Sequence, residues 1–95
     1  MNTTYCIKLS LRCGDEVECI AKFNLGNDKQ FAKDLFGRLK GSHDVQENDP
    51  LQMEFIETKN ELPLSMQIIS CTLADLGENA KMITREVFKS KLLMN

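Results

Sequence analysis

From Leu62 to Ile68 every second residue is apolar, with Pro63, Ser65 and Gln67 between Leu62, Leu64, Met66 and Ile68. A strand turns successive side chains to opposite faces, so this spacing predicts that the four apolar residues form one wall of a core. At Ile69 and Cys71 the other face turns apolar as well, as in a strand covered on both sides. The rest of the domain is expected to build outward from this strand.

Two earlier stretches alternate in the same way. Tyr5, Ile7, Leu9 and Leu11 are separated by Cys6, Lys8 and Ser10, and Val17, Cys19, Ala21 and Phe23 by Glu18, Ile20 and Lys22. Side-chain matching favours a five-residue loop, Arg12 to Glu16, which pairs Leu11 with Val17, Leu9 with Cys19, Ile7 with Ala21 and Tyr5 with Phe23. A loop that opposes Leu9 to Ala21 sets Lys8 directly against Lys22, and a two-residue Gly14-Asp15 turn opposes Leu11 to Glu18. A second hairpin joins Leu51, Met53 and Phe55 to the Leu62–Cys71 strand. A loop from Thr58 to Glu61 would oppose Phe55 to Leu64, Met53 to Met66 and Leu51 to Ile68, leaving Glu57 against Leu62.

Helical spacing appears twice. Phe31, Ala32, Leu35, Phe36 and Leu39 fall on one stripe, with Asn27 and Gln30 as a capping box and Gly41 as the stop. Thr72 with Asp75 offers a second cap. Leu73, Leu76, Ala80, Ile83 and Val87 recur at steps of three and four, but Gly77-Glu78-Asn79 interrupts them and Thr84 reads as a new cap. The expectation is a short helix near Thr72–Glu78 and a longer one near Thr84–Leu93, with a strand over Met82–Phe88 as the alternative. The sum is ββαββα, an α+β two-layer sandwich: a four-stranded antiparallel sheet, one amphipathic helix and a C-terminal helical segment.

Ninety-five residues are expected to make a single domain, residues 1–95. A net charge of −2 gives no general attraction to nucleic acid or to an anionic membrane. No apolar run exceeds three residues, which predicts neither a membrane span nor a signal-peptide core, and hence a cytoplasmic chain. In that setting the Asn2-Thr3-Thr4 sequon is a chance match.

The chemistry-bearing residues are sparse. Cys6, Cys13, Cys19 and Cys71 include no C-x-x-C pair, so the strong zinc and dithiol signatures are missing and no metal or other cofactor is expected. Cys19 and Cys71 read as small buried hydrophobes. Cys13, at a hairpin tip, is the candidate reactive thiol. His43, the one histidine, is flanked by Ser42 and Asp44, but three consecutive residues cannot set up a nucleophile, base and orienter; it reads as a solvated loop residue. No catalytic residue is assigned.

Charge is uneven. Asp44 to Glu61 holds six acids and one lysine, whereas Ala80 to Asn95 holds four bases and one acid. Lys81, Arg85 and Lys89 recur every four residues and are the candidate anion contacts. With no interleaved aromatics and no glycine-rich phosphate loop, a solvated face is the expectation, and nucleic acid is not an expected partner.

The remaining signal is apolar surplus. Ile20, Ile56 and Ile69 fall on the nominal outer face of three strands, and Val87, Phe88, Leu92 and Leu93 need a surface of their own. These seven are the interface candidates. The function expected is a small non-catalytic module that binds a protein partner or a second copy of itself, as a homodimer would. The alternative is a thiol-dependent redox or metal-responsive protein centred on Cys13. Catalysis by His43 with a neighbouring carboxylate is a third.

Overall fold

The computed structural model describes residues 2–46 and 49–93. Six elements follow in order: β1 (Thr3–Cys13), β2 (Glu16–Gly26), α1 (Lys29–Gly37), β3 (Leu51–Lys59), β4 (Leu62–Ser70) and α2 (Leu73–Leu93). This is the expected α+β arrangement, ββαββα. The four strands form one antiparallel sheet in the order β2-β1-β3-β4, so β1 and β3 are central and β2 and β4 are edges. Both helices lie on one face: Ala32, Leu35 and Phe36 of α1 and Ile83 of α2 share a core with Ile7, Leu9, Met53 and Phe55. Phe55 stacks on Tyr5 at 5.9 Å and on Phe36 at 5.4 Å, tying the two central strands to α1.

The first hairpin corrects the expected register. Its turn is the two-residue Gly14-Asp15, with Gly14 at φ +63° supplying left-handed backbone, and Leu11 does face Glu18. A β-bulge at Ile20 then inserts one residue, so that Leu9 faces Ala21, Ile7 faces Phe23 and Lys8 faces Lys22. The lysine pair is tolerated because Lys8 has Glu54 of β3 on its other side. Like charges argue against a register only while the pair is considered alone. A second bulge, at Leu25, drops that side chain into the core.

The second hairpin is corrected more deeply. Asn60 and Glu61, at φ 52° and 69°, form a two-residue turn in which Lys59 faces Leu62 and Glu57 faces Leu64. A bulge at Met66 shifts the remainder, placing Gln67 opposite Phe55, Ile68 opposite Glu54 and Ile69 opposite Met53. The supposed core wall is therefore outside: Leu62, Leu64, Met66 and Ile68 are all exposed. Ile69, expected on the outer face, is instead only 2% exposed and belongs to the core. The alternation was real, but the bulge breaks its phase and the edge position leaves half of the strand uncovered.

The helices differ in their ends and joints. Asp28, one residue after the expected Asn27, caps α1 by accepting the Phe31 amide at 3.1 Å, and Gln30 donates to Asp34 instead of closing a box. Gly41 is not a left-handed stop. It lies where a Cβ would stand 2.9 Å from the Ser70 carbonyl oxygen, so it is required for close approach to β4. Thr72 and Asp75 exchange capping bonds of 3.0 and 3.1 Å as expected. Beyond them α2 is one unbroken helix, neither two helices nor a helix and a strand. Gly77 is exposed and simply tolerated, the Thr84 hydroxyl donates to the Ala80 carbonyl at 2.8 Å without capping anything, and Asn79 is fully buried.

Candidate interaction surfaces

The open face of the sheet carries every second residue of each strand. Cys6, Ile56 and Ser65 form one row across β1, β3 and β4, and Lys22, Lys8, Glu54 and Ile68 form the next. Val17 and Arg12 lie at one end. Ile56 is half-buried in this face, Ile68 and Val17 are exposed, and Ile20 is exposed at its bulge. With Ile69 withdrawn to the core, the face is a mixed surface with a few apolar members.

The larger apolar exposure is elsewhere. Leu62 is 73% and Phe88 62% exposed, with Leu64 and Leu92 comparable. Leu62 and Leu64 sit on the helix side of β4, at the hairpin end that the helices do not reach, and line a groove of about 380 Å³ with Glu57, Lys59, Asn60 and Pro63. Val87 is half-buried against the core. With Phe88, Ile83 and Phe23 it lines a second groove, about 230 Å³, between α2 and β2. The Leu93 side chain lies outside the described residues.

An apolar edge strand invites pairing with another chain, and β4 blunts that tendency. At one end Ser42 pairs with Ser70 through backbone bonds of 2.8 and 2.9 Å, and His43 Nδ1 lies 3.1 Å from Gln67 Nε2. The middle is bent by the Met66 bulge. At the other end stands Pro63, opposite Thr58. The residues flanking a two-residue turn exchange the first ladder bonds, so the Thr58–Pro63 pair is a non-bonded one and Pro63 removes a donor from the free side. What β4 offers is side chains rather than backbone.

Glu57 is the residue whose meaning sequence reasoning did not develop. It follows Leu51, Met53 and Phe55 at a spacing of two, which puts a carboxylate in an inward-facing series. That phase is the signal that could have found it. Glu57 faces Tyr5 across the β1–β3 ladder and is 9% exposed. Burial pushes the Tyr5 phenol above its ordinary value, and the hydrogen bond and charge of Glu57 push it further.

The other candidates are scattered. Cys13 is exposed at the β1–β2 turn, and Cys19, expected in the core, is exposed as well. Cys6 is half-buried on the open face; burial raises its thiol, partly offset by Lys22. Cys71 is buried beside Asn79 and the Lys40 carbonyl, and burial raises it too. No three His, Cys, Asp or Glu residues are grouped as metal ligands among the described residues. Lys81, Arg85 and Lys89 are all exposed along α2, interleaved with acids: Arg85 pairs with Glu86 at 3.2 Å, Arg38 reaches the same carboxylate at 3.4 Å, and Lys40 pairs with Glu78. The basic stripe is thus partly neutralised by its own helix, and no described acid of the 44–61 stretch makes an ion pair with it. No helix among the described residues is long and apolar enough to cross a membrane. Compared with protein-family models, curated proteins and solved structures, the chain finds no match.

Proposed function

We infer that this chain is a small non-catalytic interaction module whose partner is a second copy of itself. The observation that carries the reading is the pair of exposed apolar clusters, Leu62 with Leu64 and Phe88 with Leu92, left uncovered although both helices are already spent on one face of the sheet. Covering such surface yields roughly 25 cal/mol per Å², and a stable pair of subunits hides about 1,200 Å² or more in total. The mixed open face, with Ile20, Ile56 and Ile68, adds a further surface of lower apolar density. A cytoplasmic setting goes with this reading, since all four cysteines stand free, as a reducing compartment keeps them.

The test is sedimentation velocity over a concentration series reaching about 100 µM, which resolves dissociation constants in the micromolar range. A dimer whose population grows with concentration is expected. A monomer throughout the series would end the reading.

A further inference from the structure

Glu57 packs its side chain against Tyr5 and lines the groove, yet it makes no ion pair among the described residues. A carboxylate in an apolar trough is a site where an incoming cation gains a charge-assisted hydrogen bond. The groove it lines is otherwise walled by Leu62, Pro63 and Leu64, with Lys59 and Asn60 at the turn. A trough with apolar sides and a carboxylate in its lining suits an ammonium group carried on an apolar stem.

The complementary set is at the end of α2. Asn79 lies beside Met53 and Cys71, whereas Thr84 and Phe88 lie beside Lys22 and Asn24. The helix therefore runs toward the end of the sheet where Gly26, Tyr5, Glu57 and Leu64 form one row. Phe88, Lys91 and Leu92 stand three and four residues apart, hence on one stripe, and all three are exposed. Lys91 makes no ion pair among the described residues. Each chain thus carries a groove at the β4 edge and an apolar helix end on the β2 side, both toward the same end of the strands.

We propose that the Phe88–Leu92 end of α2 from one copy docks in the Glu57 groove of a second copy, with Phe88 and Leu92 against Leu62 and Leu64 and the Lys91 ammonium on the Glu57 carboxylate. A two-fold rotation makes this contact twice and closes the assembly as a dimer. The docking rests on the self-association inferred above and specifies its surface.

Exposed positions test it without threatening the fold. Leu64→Asp breaks the groove and Phe88→Asp breaks the helix end; each variant alone is expected to be monomeric where the wild type is dimeric. Mixed in equal amounts the two should associate, since one intact groove then meets one intact helix end. Lys91→Gln should weaken the wild-type dimer about tenfold, the scale of one charged pair worth about 1.4 kcal/mol. Ile68→Ser, on the open face, should leave the dimer unchanged. A wild-type dimer that survives Leu64→Asp and Phe88→Asp, or that Ile68→Ser dissociates in their place, overturns the docking while self-association stands. An affinity unmoved by Lys91→Gln overturns the Glu57 pairing. A wild type that stays monomeric removes both readings together.

Discussion

Asn79 holds the backbone of Lys40 by both of its polar groups: its Oδ1 accepts the Lys40 amide at 2.8 Å and its Nδ2 donates to the Lys40 carbonyl at 2.7 Å. The contact locks the first third of α2 onto the segment that leaves α1, with Cys71 and Met53 sulfurs packed against the same amide. Only a side-chain amide can accept and donate side by side in this way. Asn79→Ala should cost about 1–3 kcal/mol, because two part-buried backbone groups lose their partners. Asn79→Asp should also be damaging, since an ionised carboxylate cannot donate to the carbonyl. Urea denaturation measures both, and a loss under about 1 kcal/mol for Asn79→Ala would mean that water replaces the amide.

Two glycines should respond in opposite directions. Gly77 is exposed within α2 and a Cβ there meets nothing within 4 Å, so Gly77→Ala should stabilise the protein by about 0.5–1 kcal/mol through backbone entropy. Gly41→Ala should destabilise it, because the new carbon would press on the Ser70 carbonyl and on Ile69 at 3.0 Å. Melting temperatures of the two variants moving the same way would contradict this account.

Thiol reactivity should follow position. Iodoacetamide at neutral pH is expected to label Cys13 and Cys19 first and Cys6 more slowly, with Cys71 last because its thiolate is disfavoured by burial and it is reached only when the core opens. Mass spectrometry of timed samples gives the order. Cys71 labelled as fast as Cys13 would show that the junction between β4 and α2 is open.

Acid should weaken the ion-pair cluster around Glu86. The hydrogen bond from Arg85 is the main cause that holds the Glu86 carboxyl below its ordinary value; burial opposes it, and Lys89 and Arg38 reinforce it. A carboxylate depressed by folding contributes stability above its unfolded value and loses it as pH falls through the folded one. Thermal unfolding followed from neutral pH to about pH 3 should therefore fall less steeply in Glu86→Gln than in the wild type. Parallel curves would exclude Glu86 as a contributor.

Much of the architecture was legible in the chain. The alternations and the Phe31–Leu39 stripe gave element types and order, because periodicity reports which residues must share a face. Register was not legible, for a physical reason: three bulges, at Ile20, Leu25 and Met66, each shift the phase by one residue, and a phase shift exchanges inside for outside. Ile68 and Ile69 traded faces on that account, whereas Leu62 and Leu64 kept the helix side and are exposed because the helices do not cover them. The continuity of α2 was hidden because Asn79 looks like a breaker until its backbone partner is known. Of the surface residues, Phe88 and Leu92 stood out as apolar side chains in need of a surface, whereas Leu62 and Leu64 were assigned to the core because nothing in a sequence marks a strand as the edge of its sheet.

The pairing of Thr3 with Lys59 and of Leu11 with Leu51 joins parts of the chain that are far apart, and it forms the middle of the sheet. Neither hairpin has a covered face until that seam closes, and β1 with β2 alone keeps Lys8 against Lys22 without Glu54. Assembly is thus expected to wait on a large loop closure, making this a slow folder for its size. Destabilising changes along the seam should slow refolding, and changes in β4 should chiefly hasten unfolding, a division that a chevron plot of each would reveal.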